Sequence, residues 1–216
     1  MALSHEEFAE IWETMFPDVV KQIKENLAII NDESSDQEKL YLALDKLLFI
    51  CEDIDAADNF VDLKGYDTVV KLLDHENPEI RMASAWIISN SLQNNIKVQC
   101  KFTKQVGISV LLDTLDKETV EKPMIRKFGA ISSSIRGFLI MRKQFYELNG
   151  IQRLLQACAK FPVLYYRFCW LIGAILDENK PTDKAEFQKE NMKEILQNHV
   201  KDVNDDELFN NVINRL

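Results

Sequence analysis

Phe60-Val-Asp-Leu-Lys-Gly65, Phe102-Thr-Lys-Gln-Val-Gly107 and Phe145-Tyr-Glu-Leu-Asn-Gly150 share one grammar: a phenylalanine, four residues, a glycine, then an apolar run. The runs are Tyr66 to Leu73, Ile108 to Leu115 and Ile151 to Leu155. The glycines stand 42 and 43 residues apart. A weaker fourth copy begins at Phe187, with Met192 in place of the glycine and Ile195 and Leu196 as its apolar pair. Self-similarity at this period marks a stacked-repeat architecture.

A proline follows each glycine, at Pro78, Pro123 and Pro162, and the first two open the tetrapeptides Pro78-Glu-Ile-Arg81 and Pro123-Met-Ile-Arg126. Long apolar stretches come next: Ile80 to about Asn94, Ile125 to about Phe138, and about Leu164 to Leu176. Glycine tolerates the positive φ at which one helix ends and another begins. Proline suits the first helical turn, where its missing N–H is no loss, and Asn77 before Pro78 reads as an N-cap. The unit is therefore three helices in about 42 residues, the armadillo or HEAT size class. The expected fold is an all-α, armadillo/HEAT-like right-handed helical solenoid with capping helices at both ends. The expected division is an N-terminal capping helix over 1–30, a polar loop over 31–36, about four repeats over 37–200, and a C-terminal capping helix over 201–216. Phe8, Ile11, Trp12 and Met15 share one helix face at the first end, and Leu208, Phe209, Val212, Ile213 and Leu216 at the other. Stacked units bury their stripes against each other and line up their third helices on a concave face.

Composition narrows the function. With 46% hydrophobic and 28% charged residues the chain can build a core, and 6 Gly and 5 Pro favour long helices over many short strands. A net charge of -9 lacks the basic footprint that phosphate backbones require, so neither nucleic acid nor an anionic membrane is an expected partner. The opening MALSHEEFAEIW carries early acids and no continuous apolar run, and no segment is apolar enough to span a bilayer. Cys51, Cys100, Cys158 and Cys169 form no Cys-x-x-Cys pair and sit in apolar stretches, as small buried hydrophobes do. The expected address is the cytoplasm, with the nucleus also open to it.

A search for chemistry finds little. His5, His75 and His199 are dispersed, and there is neither a phosphate-cradling glycine loop nor Gly-x-Ser-x-Gly. Glu52-Asp53 and Asp205-Asp206-Glu207 read as solvated faces or helix caps. No enzyme, cofactor or metal is expected.

Three stretches carry a family resemblance. They are Glu52-Asp-Ile-Asp55-Ala-Ala57-Asp-Asn-Phe60, then Ala85-Trp86-Ile-Ile88-Ser-Asn90-Ser-Leu-Gln93-Asn94-Asn95-Ile-Lys97-Val-Gln99, then Lys127-Phe-Gly-Ala130-Ile131-Ser132-Ser133-Ser-Ile135-Arg136. In that order and spacing the chain resembles the armadillo nucleotide exchange factors of heat shock protein 70, over about residues 37 to 176. It departs from them at Ser89-Asn90, where the family often has Gly-Thr, and it shows neither the short Leu-Leu-x-Trp-Ser-Ile-type segment of many members nor the flexible N-terminal tail linked to client release, so a client-release role is not expected. The resemblance implies a monomer that clasps the chaperone's ATPase domain with its concave face and promotes ADP release without catalytic residues. The partner-binding residues it points to are Glu52, Asp53, Trp86, Asn90, Gln93, Asn94, Asn95, Ser132 and Arg136. Each also has a plainer reading: Glu52 and Asp53 as solvated acids, Gln93 to Asn95 as a helix cap, Arg136 as a solvated C-terminal cation, and Trp86 as core. Trp86 and Asn90, four apart, also match one rung of a peptide-holding Trp-x-x-x-Asn ladder. The next two repeats have Ile131/Ile135 and Ile172/Leu176 there. An adaptor for a linear basic peptide is the second reading.

Overall fold

A computed structural model describes residues 18–200 and 206–216, which form fourteen α-helices and no strand among the described residues. Two helices lead: α1 (Val19–Asn31) and α2 (Gln37–Ile50). Four three-helix units follow. The first is α3 (Ile54–Asp62), α4 (Gly65–Val69) with a 3₁₀ turn over Lys71–Asp74, and α5 (Pro78–Leu92). The second is α6 (Ile96–Gln105), α7 (Ile108–Lys117) and α8 (Glu121–Ile135). The third is α9 (Leu139–Glu147), α10 (Gly150–Lys160) and α11 (Leu164–Asp177). The fourth is α12 (Pro181–Lys189), α13 (Met192–Val200) and α14 (Asp206–Arg215). The helix expected as a C-terminal cap is α14. It occupies the third-helix place of its unit, with Val212 packed on Gly173 of α11. The amphipathic stretch Phe8 to Met15 lies outside the described residues.

Helix starts follow local chemistry. Asn77 caps α5 by accepting from the Glu79 amide, and Pro78 is its first residue, as the sequence dictates. Asp36 caps α2 and Asp53 caps α3 in the same way. Pro123 behaves differently. It is the third residue of α8, whereas Pro78 is the first of α5, so the two Pro-x-Ile-Arg tetrapeptides are not structural equivalents. Counted from their helix starts, the partners of Trp86 and Asn90 in the next unit are Gly129 and Ser133, not Ile131 and Ile135, which are buried.

One apolar core runs through the units. The motif phenylalanines Phe60, Phe102, Phe145 and Phe187 are all buried, each worth roughly 1.5–3 kcal/mol relative to exposure. Tyrosines link them across units edge to face. Tyr66 lies 5.7 Å from Phe60 and 4.9 Å from Phe102, and Tyr146 lies 5.7 Å from Phe145 and 6.4 Å from Phe187. The reason for the motif glycine is not the expected one at two of its three positions. At Gly65 and Gly150 the left-handed residue is the one before, Lys64 (φ 60) and Asn149 (φ 54). These glycines are needed because the motif phenylalanine ring lies where a Cβ would stand, 2.2 Å away in each case. Only Gly107 itself takes positive φ, at 79°.

Candidate functional site

The leading helix α2 and the third helices α5, α8, α11 and α14 begin every 41 to 43 residues, so α2 takes a third helix's place before the first unit, and α5 and α8 are the most closely packed pair. Small side chains permit that approach: Ser89 and Ser133 share a hydrogen bond of 3.2 Å, and a Cβ on Gly129 would meet Ser89 Oγ at 3.4 Å. The side chains left at least partly exposed on these helices form a stripe. It passes through Phe49 on α2, Trp86 and Asn90 on α5, Arg126 on α8, Arg167 and Trp170 on α11, and Asn211 on α14. Solenoids of this class line their concave face with the third helices of their units.

Two cation–aromatic pairs bridge the row. Arg126 places its guanidinium 3.3 Å from the Trp86 ring centroid, and Arg136 places its own 4.6 Å from that of Trp170. None of Arg126, Arg136 and Arg167 has a carboxylate partner among the described residues. Burial, then the nearby charge of Arg167, pushes the Arg126 pKa down, and burial does the same to Arg136, whose Nε is enclosed without a hydrogen bond. Beyond Trp170 the face continues as a groove of about 750 Å³ between α11 and α14, where Arg215 pairs with Asp177 at 2.8 Å.

The structure divides the expected contact residues into two groups. Trp86, Asn90 and Arg136 lie on the third-helix row, with Trp86 half-buried rather than core. Gln93 and Asn94 are exposed at the end of α5, Gln93 as its C-cap and Asn94 in the left-handed conformation at φ 55. Asn95 instead is buried. It caps α6 by accepting from the Val98 amide and donates to the Ile54 carbonyl of the preceding unit. Gln99 of the same stretch donates to the carbonyls of Ser133 and Arg136, and Lys101 joins Asp58 and Asp62 at 2.5 Å. Asn95, with Lys97 pairing with Asp58 at 2.5 Å, thus joins this unit to the one before, while Gln99 ties the second unit to its own third helix. Ser132 is buried on α8, its carbonyl accepting from the Arg136 amide. Asp53 is a helix cap, its carboxylate taken by the Asp55 and Ala56 amides, and Glu52 is an exposed neighbour in the turn. The sequence alone gives no sign of Arg126, Arg167 and Arg215, and it places Trp170, Phe168 and Tyr166 in the core; Phe168 is buried there, but Trp170 is 45% and Tyr166 47% exposed. Each arginine looked like an ordinary helix residue, because the side chain that gives it meaning lies about one repeat away.

Two buried ion clusters hold the units in register behind this face. Glu118 accepts from Arg81 at 2.9 and 2.8 Å and pairs with Lys127 at 2.8 Å. Burial opposes ionisation of Glu118, but these donors outweigh it and hold its carboxyl down at about 2. In the second cluster Arg142 meets Glu178 bidentately at 2.7 and 2.8 Å, and Glu178 also accepts from the Gly137 amide at 3.0 Å, next to Arg136. Cys51 and Cys158 are buried thiols whose pKa values burial pushes up, that of Cys158 to about 12, so neither is a poised nucleophile. Among the described residues no group of three or more His, Cys, Asp or Glu is placed to hold a metal, and no helix is long and apolar enough to cross a membrane.

The chain is a stack of three-helix units with a partly exposed arginine–tryptophan row, and comparison with known proteins gives it a family. Residues 56–215 match the family described as SIL1/FES1/HPBP1 C-terminal domain, so the chain belongs to that family. Residues 1–60, which include the family-like stretch Glu52 to Phe60, match a second family, Nucleotide exchange factor Fes1. The chain is similar to the Hsp70 nucleotide exchange factor FES1 of Saccharomyces cerevisiae, 30% identical over 140 residues, 62% of this chain and 48% of that one. It is similar to the protein of that name from Debaryomyces hansenii, 27% identical over 184 residues, 84% of this chain and 64% of that one. The Candida glabrata protein of the same name is 28% identical over 137 residues, 62% of this chain and 47% of that one. The chain thus spans roughly half to two thirds of these relatives' lengths.

Proposed function

We propose that this protein is a non-enzymatic nucleotide exchange factor for Hsp70. In this reading it acts as a cytoplasmic monomer, open also to the nucleus, that grips the chaperone's ATPase domain with the third-helix row. The observation that carries the reading is the set of unpaired arginines, Arg126, Arg136 and Arg167, on one face of a chain whose net charge is -9. Arg126 and Arg136 are half-buried and Arg167 is exposed; half-buried cations without a counter-charge are costly alone and are relieved by an anionic partner surface, and arginine and tryptophan dominate binding hot spots. Exchange needs no catalytic group. It needs tighter binding to the open, nucleotide-poor form of the partner than to its closed ADP form, so that the difference in affinity drives opening. Glu52, Gln93, Asn94 and Asn90 are proposed as rim contacts around the arginine–tryptophan centre, while Asp53, Asn95 and Ser132 support it from beneath.

The reading as an adaptor for a basic peptide loses its footing on the same face. Its single Trp86/Asn90 rung is covered by Arg126, the next rung is Gly129/Ser133, and a row of arginines repels basic ligands. Stopped-flow release of a fluorescent ADP analogue from Hsp70 tests the proposal. A saturable acceleration that is lost in Arg126→Ala and Arg136→Ala supports it. No acceleration by the folded parent protein rejects it.

A further inference from the structure

We propose that the cleft between α9 and α12 is a receptor for one arginine or lysine side chain of a second polypeptide, a site separate from the third-helix row. The cleft holds about 500 Å³ and is lined by residues of these two first helices alone. Its walls are apolar: Leu139, 49% exposed with nothing yet covering it, and the ring of Tyr146. Its floor is charged and out of balance. Arg142, fully buried, is the only cation among the described residues in contact with the two carboxylates Glu178 and Asp183. Glu178 takes the bidentate face of the guanidinium. Asp183 has Arg142 Nε at 3.1 Å as an ion pair and the Tyr146 hydroxyl donating at 2.9 Å, both on Oδ1. Its Oδ2 is buried and has no hydrogen-bond partner, although the residue is only 2% exposed.

The remaining charges do not repair the deficit. Lys143 faces Glu147 at 3.8 Å at the mouth, Glu186 is engaged with Lys189 at 2.5 Å, and exposed Lys180 acts on Glu178 through its charge alone. Asp183 is the third residue of α12, so the helix N-terminus offsets part of its charge, about half an elementary charge at most. Among the groups in contact one carboxylate is in excess, and an unpaired buried carboxylate oxygen is expensive. Apolar walls above an acidic floor fit a side chain with an aliphatic stem and a cationic head. Binding of such a head would complete the charge balance, and the stem would cover Leu139 and Tyr146. The site adds a second point of attachment on a different surface, so its occupancy does not depend on nucleotide exchange.

The test is an NMR titration of the ¹⁵N-labelled full chain with N-acetyl-arginine amide, and in parallel with N-acetyl-citrulline amide, its neutral isostere. The expected result is saturable shifts of the Leu139, Tyr146 and Thr182 amides with the arginine compound. The citrulline compound is expected to bind at least about tenfold more weakly, the cost of losing a charged hydrogen bond. Asp183→Asn is expected to abolish the arginine response. Because Asp183 also supports the joint, Glu186→Gln at the partly exposed rim is the second variant, and it is expected to weaken the response while leaving the thermal melt unchanged. Equal response to the two compounds, no response at these amides, or an undiminished response in both folded variants overturns the proposal. None of these outcomes bears on ADP release, so this site and the exchange reading stand or fall apart.

Discussion

The guanidinium of Arg126 lies 3.3 Å over the indole of Trp86, forty residues earlier in the chain, and fixes both side chains on the third-helix row. Stacking holds the arginine in one place while leaving its charge without a carboxylate. That arrangement readies it for an anionic partner.

Arg126→Ala is therefore expected to weaken binding to the Hsp70 ATPase domain by at least about tenfold, as loss of a hot-spot arginine does, with helicity intact. Trp86→Ala is expected to weaken it as well, because the arginine loses its platform, worth roughly 0.5–2 kcal/mol. Calorimetry on both variants and the double mutant gives the coupling directly. Additive effects would show that the stack has no part in binding.

Asn94 and Asn95 are adjacent in sequence and opposite in role. Asn95→Ala removes a helix cap and leaves the Ile54 carbonyl without its donor, so unfolding free energy is expected to fall by about 1–2 kcal/mol while partner affinity holds. Asn94→Gly keeps the left-handed turn and removes only the exposed amide, so stability is expected to hold while affinity falls. Chemical denaturation beside calorimetry reads both.

Glu118 makes stability depend on acid. Its folded pKa of about 2 lies below its ordinary value of 4.5, so its contribution is complete above about pH 5 and is lost as pH falls towards 2. The contribution is about 3 kcal/mol for a shift of this size. Glu118→Gln is expected to flatten that part of the pH profile. It is also expected to destabilise the protein at pH 7 by about 3–5 kcal/mol, because Lys127 is left charged and buried without its counter-ion. Urea melts between pH 3 and 7 measure both effects.

The two kinds of motif glycine are expected to respond to different rescues. Gly65→Ala drives a Cβ into the Phe60 ring and is expected to cost about 1–3 kcal/mol, part of it recovered by Phe60→Leu. Gly107→Ala meets nothing closer than 4.0 Å but forces an alanine to φ 79, at about 1–3 kcal/mol, and Phe102→Leu is expected to recover none of it. Thermal melts of the singles and doubles distinguish crowding from backbone strain.

The repeat was legible because its signals are local. Asn77-Pro78 announces a helix start within two residues, and the apolar stripes declare their own period. The register of α8 was hidden because Pro123 tolerates the third helical position as well as the first, and only packing against α5 decides between them. The role of Gly65 was hidden because the ring it accommodates belongs to the same motif and gives no sign of where it points. Trp86 was visible as a candidate, but Arg126 was not. An arginine in a helix looks the same whether it faces water or an indole, and the sequence does not say which side chain stands one repeat away.

The side-chain ties between units described above join residues 34 to 44 positions apart, from Arg136–Trp170 to Ser89–Ser133. Each is a bond between nearest neighbours, and the first unit is wired to the last only through those between. Length is then a free parameter of the molecule. A whole unit added or removed disturbs two seams and leaves the rest of the wiring as it was, so an array of this kind can change its reach by steps of one unit while preserving the grip each unit already has.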